Sequence, residues 1–342
     1  MKLTTCVVVL ALLVLPQAAF AGSGQRTGTN GAAELLIPIG TRDIAMAGST
    51  VASARGIDAL FWNPAGSAYV LRDVTLYASH MEYIADIGVD CGAVSVNFEG
   101  FGVLSLDLKV LSIGDVPVTT SQFPDGTGTT FRPQFFTMGL TYARQLTDRI
   151  SVGITGTLIS ERMAEVSANG VAFNMGVTYS GLVGISGLDL GVAVKNIGPE
   201  MKFDGPGLTI DATSAGLQRG TMLYKLETAG FELPSTFEFG VAYRTTIADD
   251  NTLLLATSFQ NNNYDDDAYR FGVEFGYQNI VFARGGYDYQ PSQTSDRENL
   301  FGLTLGVGAH LLVGNVDVTF DYAYRAAKFF DGNHVVSMKL GF

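Results

Sequence analysis

Charged side chains are scarce in this chain, so the few that could do chemistry stand out. The stretch NNNYDDD at 261–267 gathers Asp265, Asp266 and Asp267, oxygen ligands of the kind calcium takes. Its spacing is not that of an EF-hand loop, and a solvated acidic loop is the simpler reading. Three histidines, His80, His310 and His334, lie far apart in sequence. No Gly-x-Ser-x-Gly elbow, His-Glu-x-x-His or Cys-x-x-Cys motif accompanies them, so hydrolytic, zinc and dithiol chemistry have no footing. GSGQRTG at 22–28 has the glycines of a phosphate loop but follows no strand; it reads as a flexible segment. Neither a metal nor a cofactor is expected, and no catalysis.

Two other groups remain. One is Trp62-Asn63-Pro64-Ala65-Gly66, which contains the single tryptophan. Asn63 can cap a helix and Pro64 can set a turn, as a gate or as a rigid corner. The corner is the simpler reading, with Trp62 anchoring it. The other group is a set of charges embedded in apolar text: Arg42, Asp43, Arg55 and Asp58 early on, then Asp107, Lys109, Glu238, Arg270, Glu274, Arg284, Asp317 and Asp321. Buried charges must pair. The early set is therefore expected to meet the later one, although the later charges could also mark a translocation path.

What positions these groups follows from composition and period. The chain has 342 residues, is 47% hydrophobic, carries 41 glycines and has only 16% charged residues. Residues 1–21, MKLTTCVVVLALLVLPQAAFA, have the layout of a cleaved signal peptide, with Ala19-Phe20-Ala21 as the small-x-small site. Only Cys91 would remain, excluding an intramolecular disulfide. No later segment has the roughly 20 apolar residues of a membrane helix. Thirty-three acidic against 21 basic residues argue against nucleic acid as a partner.

From about residue 72 the text alternates with period two. Phe237, Phe239, Val241 and Tyr243 face one way, and Glu238, Gly240, Ala242 and Arg244 the other. The terminal VVSMKLGF obeys the same rule, with Ser337, Lys339 and Gly341 opposing Val336, Met338, Leu340 and Phe342. Strands are expected near 72–80, 90–98, 101–111, 134–144, 150–161, 170–180, 187–196, 235–246, 252–260, 268–277, 279–289, 300–310, 315–325 and 334–342. Fourteen is an even number, as in bacterial outer-membrane barrels. The connections alternate as well. Odd ones at 81–89, 112–133, 162–169, 197–234, 261–267, 290–299 and 326–333 are each longer than the even ones beside them. Long outer loops and short periplasmic turns produce that order.

A soluble β-sandwich would hide its large apolar face. Here the second face is mostly Gly, Ala, Ser and Thr, which suits a crowded or wet lumen. Tyrosines collect near strand ends (Tyr142, Tyr179, Tyr243, Tyr277, Tyr287, Tyr289, Tyr322, Tyr324), as interfacial girdles require. The fold class is therefore all-β, a transmembrane antiparallel barrel of fourteen strands over 72–342. Its last strand closes against its first. Residues 22–71, with helical stretches near 41–48 and 56–61, form a partly helical N-terminal hatch in the lumen, since a barrel this wide is not filled by its own side chains.

The stretch GTNGAAELLIPIGTRDIAMAGSTVASARGIDALFWNPAG at 28–66 resembles the N-terminal signature of the PorV/PorQ family of outer-membrane proteins. The matching positions are Pro38, Gly40, Arg42, Met46, Gly48, Asp58, Ala59, Asn63, Pro64, Ala65 and Gly66. GVAVKNIG at 191–198 resembles a second family element, a strand ending in Asn-x-Gly. That family in turn resembles the FadL-type barrels. The resemblance implies localisation in the bacterial outer membrane and a cargo-binding shuttle role in type IX-like protein secretion or surface attachment. The partners so implied are outer-membrane lipid, components of a secretion apparatus and exported proteins. The FadL-type likeness implies an alternative, a channel that takes up hydrophobic small molecules. A scaffold that only holds partners is a third possibility. Loops 112–133 and 197–234 are where cargo would bind, the second carrying an apolar patch at Met222, Leu223, Tyr224 and Leu226.

Overall fold

The computed structural model describes residues 30–342 except 71, 213–220, 249 and 292–298. The expected signal peptide, residues 22–29 and Arg72's predecessor at 71 lie outside the described residues. Fourteen strands form one closed antiparallel barrel. In chain order they are Val74–Glu82, Gly88–Phe98, Gly102–Ser112, Gln134–Gln145, Ile150–Met163, Val166–Ser180, Leu188–Ile197, Thr236–Ala248, Asn251–Asn262, Ala268–Tyr277, Val281–Tyr289, Phe301–Val313, Val316–Ala327 and Asn333–Gly341. Each strand pairs with its sequence neighbours, and closure joins the first to the last in the register Thr75↔Gly341 to Glu82↔His334. A final pair of backbone bonds links Val74 and Phe342, at 3.3 and 2.8 Å. The barrel itself has no open edge, which is what a lipid environment demands of a β structure.

The two faces divide as the alternation requires. Phe239 is 41% exposed on the outside, while its neighbour Glu238 is 1% exposed within. The expected strand count and closure hold; one connection does not. The fifth and sixth strands continue to Met163 and Val166 and meet through Ala164 and Glu165 alone, so the loop expected at 162–169 is a turn at the tip of a ribbon. This outer connection is shorter than the inner one at 181–187 beside it. Paired backbone extends above the wall there, where the sequence offers polar residues that alternate too weakly to read as strand.

Residues 30–70 lie inside the barrel. They form a single α-helical turn at Thr41–Ala45 and 3₁₀ turns at Ala33–Leu36, Gly56–Phe61 and Pro64–Ala68. Ile39, Ile44, Ile57, Leu60 and Trp62 pack against Tyr77, Met81, Val89, Leu111 and Val335 of the wall. Each such buried aliphatic side chain contributes about 1.5–3 kcal/mol.

Candidate functional site: the hatch and the basin above it

The hatch is seated by close approach of backbone to backbone. A Cβ on Gly153 would lie 2.3 Å from the carbonyl carbon of Pro64, one on Gly191 2.2 Å from Val51 O, and one on Gly286 2.4 Å from the carbonyl carbon of Met46. The small-residue face of the strands is therefore the footprint of the hatch. Asn63 sits at its corner, fully buried. Its Oδ1 accepts from Ala65 N at 3.1 Å, and Pro64 occupies the first position of the turn that follows. Its Nδ2 donates to Val51 O at 2.8 Å and reaches Val177 O and Val192 O of the sixth and seventh strands at 3.2 and 3.4 Å. One amide thus ties two hatch segments to two wall strands. Asn63→Ala orphans these groups and should cost about 1–3 kcal/mol. Denaturant unfolding of the folded barrel would register it as a lower midpoint, whereas an unchanged midpoint would deny Asn63 that role.

Charges hold the opposite side. Arg42 meets Glu274 through two bonds, Nε to Oε2 at 2.8 Å and Nη2 to Oε1 at 3.0 Å, and touches Asp43 at 3.2 Å. Glu274 also accepts from Arg284 at 2.7 Å; Arg284 reaches Asp321 at 2.6 Å. Lys339 then bridges Asp321, at 3.2 Å, and Asp58 of the hatch, at 2.7 Å. This ionic chain begins and ends on the hatch and draws on four strands between, the tenth, eleventh, thirteenth and fourteenth. Burial pushes the Asp43 carboxyl up to about 7, with Asp58 adding to the rise and Arg42 opposing it. Arg55 pairs with Asp189 at 2.8 Å and lies 4.4 Å from the ring centre of Tyr69.

Above the hatch lies a basin of about 140 Å³. Its floor is apolar, with Leu35, Leu36, Ile37, Ile39, Leu60 and Phe61; its wall is polar, with Asp107, Lys109, Lys195, Glu238, Arg270, Asp288 and Arg325. Trp62 belongs to the floor. Its indole donates to Ile39 O at 2.8 Å within the hatch, and the Lys195 ammonium lies 5.3 Å from its ring. Lys195 pairs with Glu238 at 2.6 Å. Arg270 and Arg325 share Asp288, at 3.5 and 4.0 Å, and Arg325 stacks 3.5 Å over Phe301. Lys109 donates to Glu34 O at 2.6 Å, closing the basin edge against the first turn of the hatch.

Of the early charges, Arg42 meets a wall partner named from sequence, Glu274. Arg55 and Asp58 pair instead with Asp189 and Lys339, and Asp43 contacts Arg42. Asp317 stands apart at the inner end, held by Arg72 and His310. The site residues expected from sequence do not include Lys195, Lys339, Asp189, Asp288 and Arg325, although Lys339 and Arg325 are expected on the inward face. All five fall on the inward parity of their strands, and that signal alone marks them. The loop 261–267 is folded in part: Tyr264 and Asp267 are buried, and Asn262 Nδ2 donates to Asp266 O at 2.8 Å.

The two longest outer connections are 113–133 and 198–235, the latter carrying a two-stranded hairpin, Thr209–Ala212 with Met222–Lys225. In the shorter of the two, Arg132 bonds Asp115 and holds its carboxyl below the usual carboxylate range. Asn196, at positive φ, is the penultimate residue of the seventh strand; its side chain donates to Pro234 O at 3.0 Å, so the Asn-x-Gly element ties the base of the longer loop. That base covers the start of the hatch, with Met201, Phe231 and Leu233 packed on Ala32 and Leu35.

A family model described as type IX secretion system protein PorV matches residues 20–221. No curated protein matches the sequence. Among solved structures, the CymD monoaromatic hydrocarbon channel is similar at a TM-score of 0.55 and 14% identity, over 89% of this chain and 97% of that one. The Pseudomonas putida toluene transporter TodX is similar at a TM-score of 0.54 and 12% identity, over 89% and 97%. At such identity the likeness is one of fold, that of an outer-membrane barrel.

Proposed function

This chain belongs to the family of the type IX secretion system protein PorV, and from that premise we propose that it is a non-catalytic barrel that binds exported proteins at the outer membrane and passes them to partners of a secretion apparatus. The observation that carries this reading is the closed lumen. Every adjacent pair of strands is hydrogen-bonded, and the hatch is joined to the wall by an ionic chain and by Asn63. Work done from the outer loops needs no path through such a barrel.

A second reading, uptake of a hydrophobic small molecule, draws support from the apolar floor of the basin and from the likeness of fold to hydrocarbon channels. One experiment separates the two. The purified protein, in detergent, is mixed with exported proteins of its own cell. Removing residues 206–228 should abolish their co-purification, and vesicles holding the intact barrel should take up a labelled aromatic hydrocarbon no faster than protein-free vesicles. Retained cargo together with hydrocarbon entry faster than into protein-free vesicles would reverse the assignment.

A further inference from the structure

The basin above the hatch is lined by four cations and three carboxylates, and the two sets do not stand at equal depth. The side chains of Lys195, Arg270 and Arg325 are 16%, 13% and 14% exposed, whereas their partners Glu238 and Asp288 are 2% and 4% exposed. Asp107 and Lys109 are both buried. The carboxylates lie behind and three cations in front, so a solute in the basin meets positive charge first.

The two arginines have bonding capacity to spare. Both rely on one oxygen, Asp288 Oδ2, at 3.5 and 4.0 Å, which is beyond ordinary hydrogen-bond length. A guanidinium carries five donors in a rigid plane that matches the two oxygens of a carboxylate. Stacking on Phe301 at 3.5 Å holds Arg325 in one orientation. Arg284, lower in the same wall, shows the contrast: it is closely bonded to Glu274 at 2.7 Å and Asp321 at 2.6 Å.

The cations also border the apolar floor. The Lys195 ammonium lies 5.3 Å from the Trp62 ring. A Cβ on Gly48 would lie 2.5 Å from a carbon of that ring and 3.4 Å from Nη1 of Arg270, so the glycine lets ring and guanidinium approach each other. Leu36, 45% exposed, and Phe61 continue the floor. An inorganic anion would engage the arginines and leave this floor wet. A hydrocarbon would cover the floor and leave the arginines unanswered.

We propose that the basin binds a small organic carboxylate, its oxygens on Arg270 and Arg325 and its apolar body on the hatch floor. The site is independent of cargo binding at the outer loops, and its occupant is an anion where the second reading above has an uncharged molecule.

The test is saturation-transfer NMR on the full-length protein in a non-ionic detergent, with benzoate, benzyl alcohol and benzylamine as probes and protein-free micelles as the blank. The three share a ring and differ in charge. Benzoate is expected to bind about tenfold tighter than benzyl alcohol, the worth of one charge-assisted bond, and benzylamine weakest. Arg270→Gln and Arg325→Gln, each shown to be folded by heat-modifiable migration, should bring benzoate down to the level of the alcohol. The three-probe comparison on the unaltered protein stands even if neither variant folds. Benzyl alcohol or benzylamine binding as tightly as benzoate would overturn the proposal, as would the absence of saturable benzoate binding. Undiminished benzoate binding in both folded variants would overturn it too, since the anion would then sit elsewhere.

Discussion

Glu274→Ala should release the hatch while leaving the barrel standing. Glu274 is the shared partner of Arg42 on the hatch and Arg284 on the wall, and both arginines are largely buried. Removing it leaves Arg42 with Asp43 and Arg284 with Asp321 as the remaining partners, and breaking a buried pair in this way costs roughly 3–5 kcal/mol. The loss falls on the hatch–wall contact, because the backbone pairing of the tenth and eleventh strands does not involve the side chain. Hydrogen exchange over residues 41–48 should therefore speed up strongly, with the strands still protected. Glu274→Gln keeps the shape without the charge and should fall between. Unchanged exchange in both variants would mean that the ionic chain does not hold the hatch.

The other large effect is steric. Gly153→Val puts its Cβ 2.3 Å from the carbonyl carbon of Pro64, and main chain cannot rotate aside as a side chain can. Overpacking in a well-fitted interior costs about 1–3 kcal/mol, and more where backbone must move. The expected result is a folded barrel with a displaced corner at Asn63-Pro64, read out as protease cleavage between residues 55 and 70 and as a rise in ion conductance across planar bilayers over that of the native protein. Gly92→Ala is the control. Nothing lies within 4 Å of the added methyl, so hatch protection and conductance should stay native. If Gly153→Val behaved like Gly92→Ala, the footprint of the hatch would not be tight.

Much of this was legible beforehand, for a definite reason. Period-two alternation is local, since each residue's facing depends only on its neighbours along the strand. Fourteen strands, the closure of VVSMKLGF on the first strand and the split of Phe239 from Glu238 all follow from it. Strand ends are less legible, as the ribbon at Met163 and Val166 shows, because above the membrane both faces meet water and alternation weakens.

What the linear text leaves open is which inward charge meets which. Lys339 and Asp58 are 281 positions apart and touch only because the hatch folds back beneath the last strand. Asp189 takes Arg55 through the same placement, whereas Lys195 takes Glu238 across the pairing of the seventh and eighth strands. Inward parity names the candidates; the path of the hatch chooses among them. The wall glycines divide in the same way. Sequence marks Gly153 and Gly191 as small residues on the inward face, and only the folded hatch explains why a single methyl there would not fit. By itself, then, the sequence determined the barrel, its strand count and the inward set of groups, because those rest on the alternation of a β-strand. The tertiary structure decided the partners, the basin and the seating of Asn63, because these depend on how an irregular segment with no period of its own fills a closed lumen.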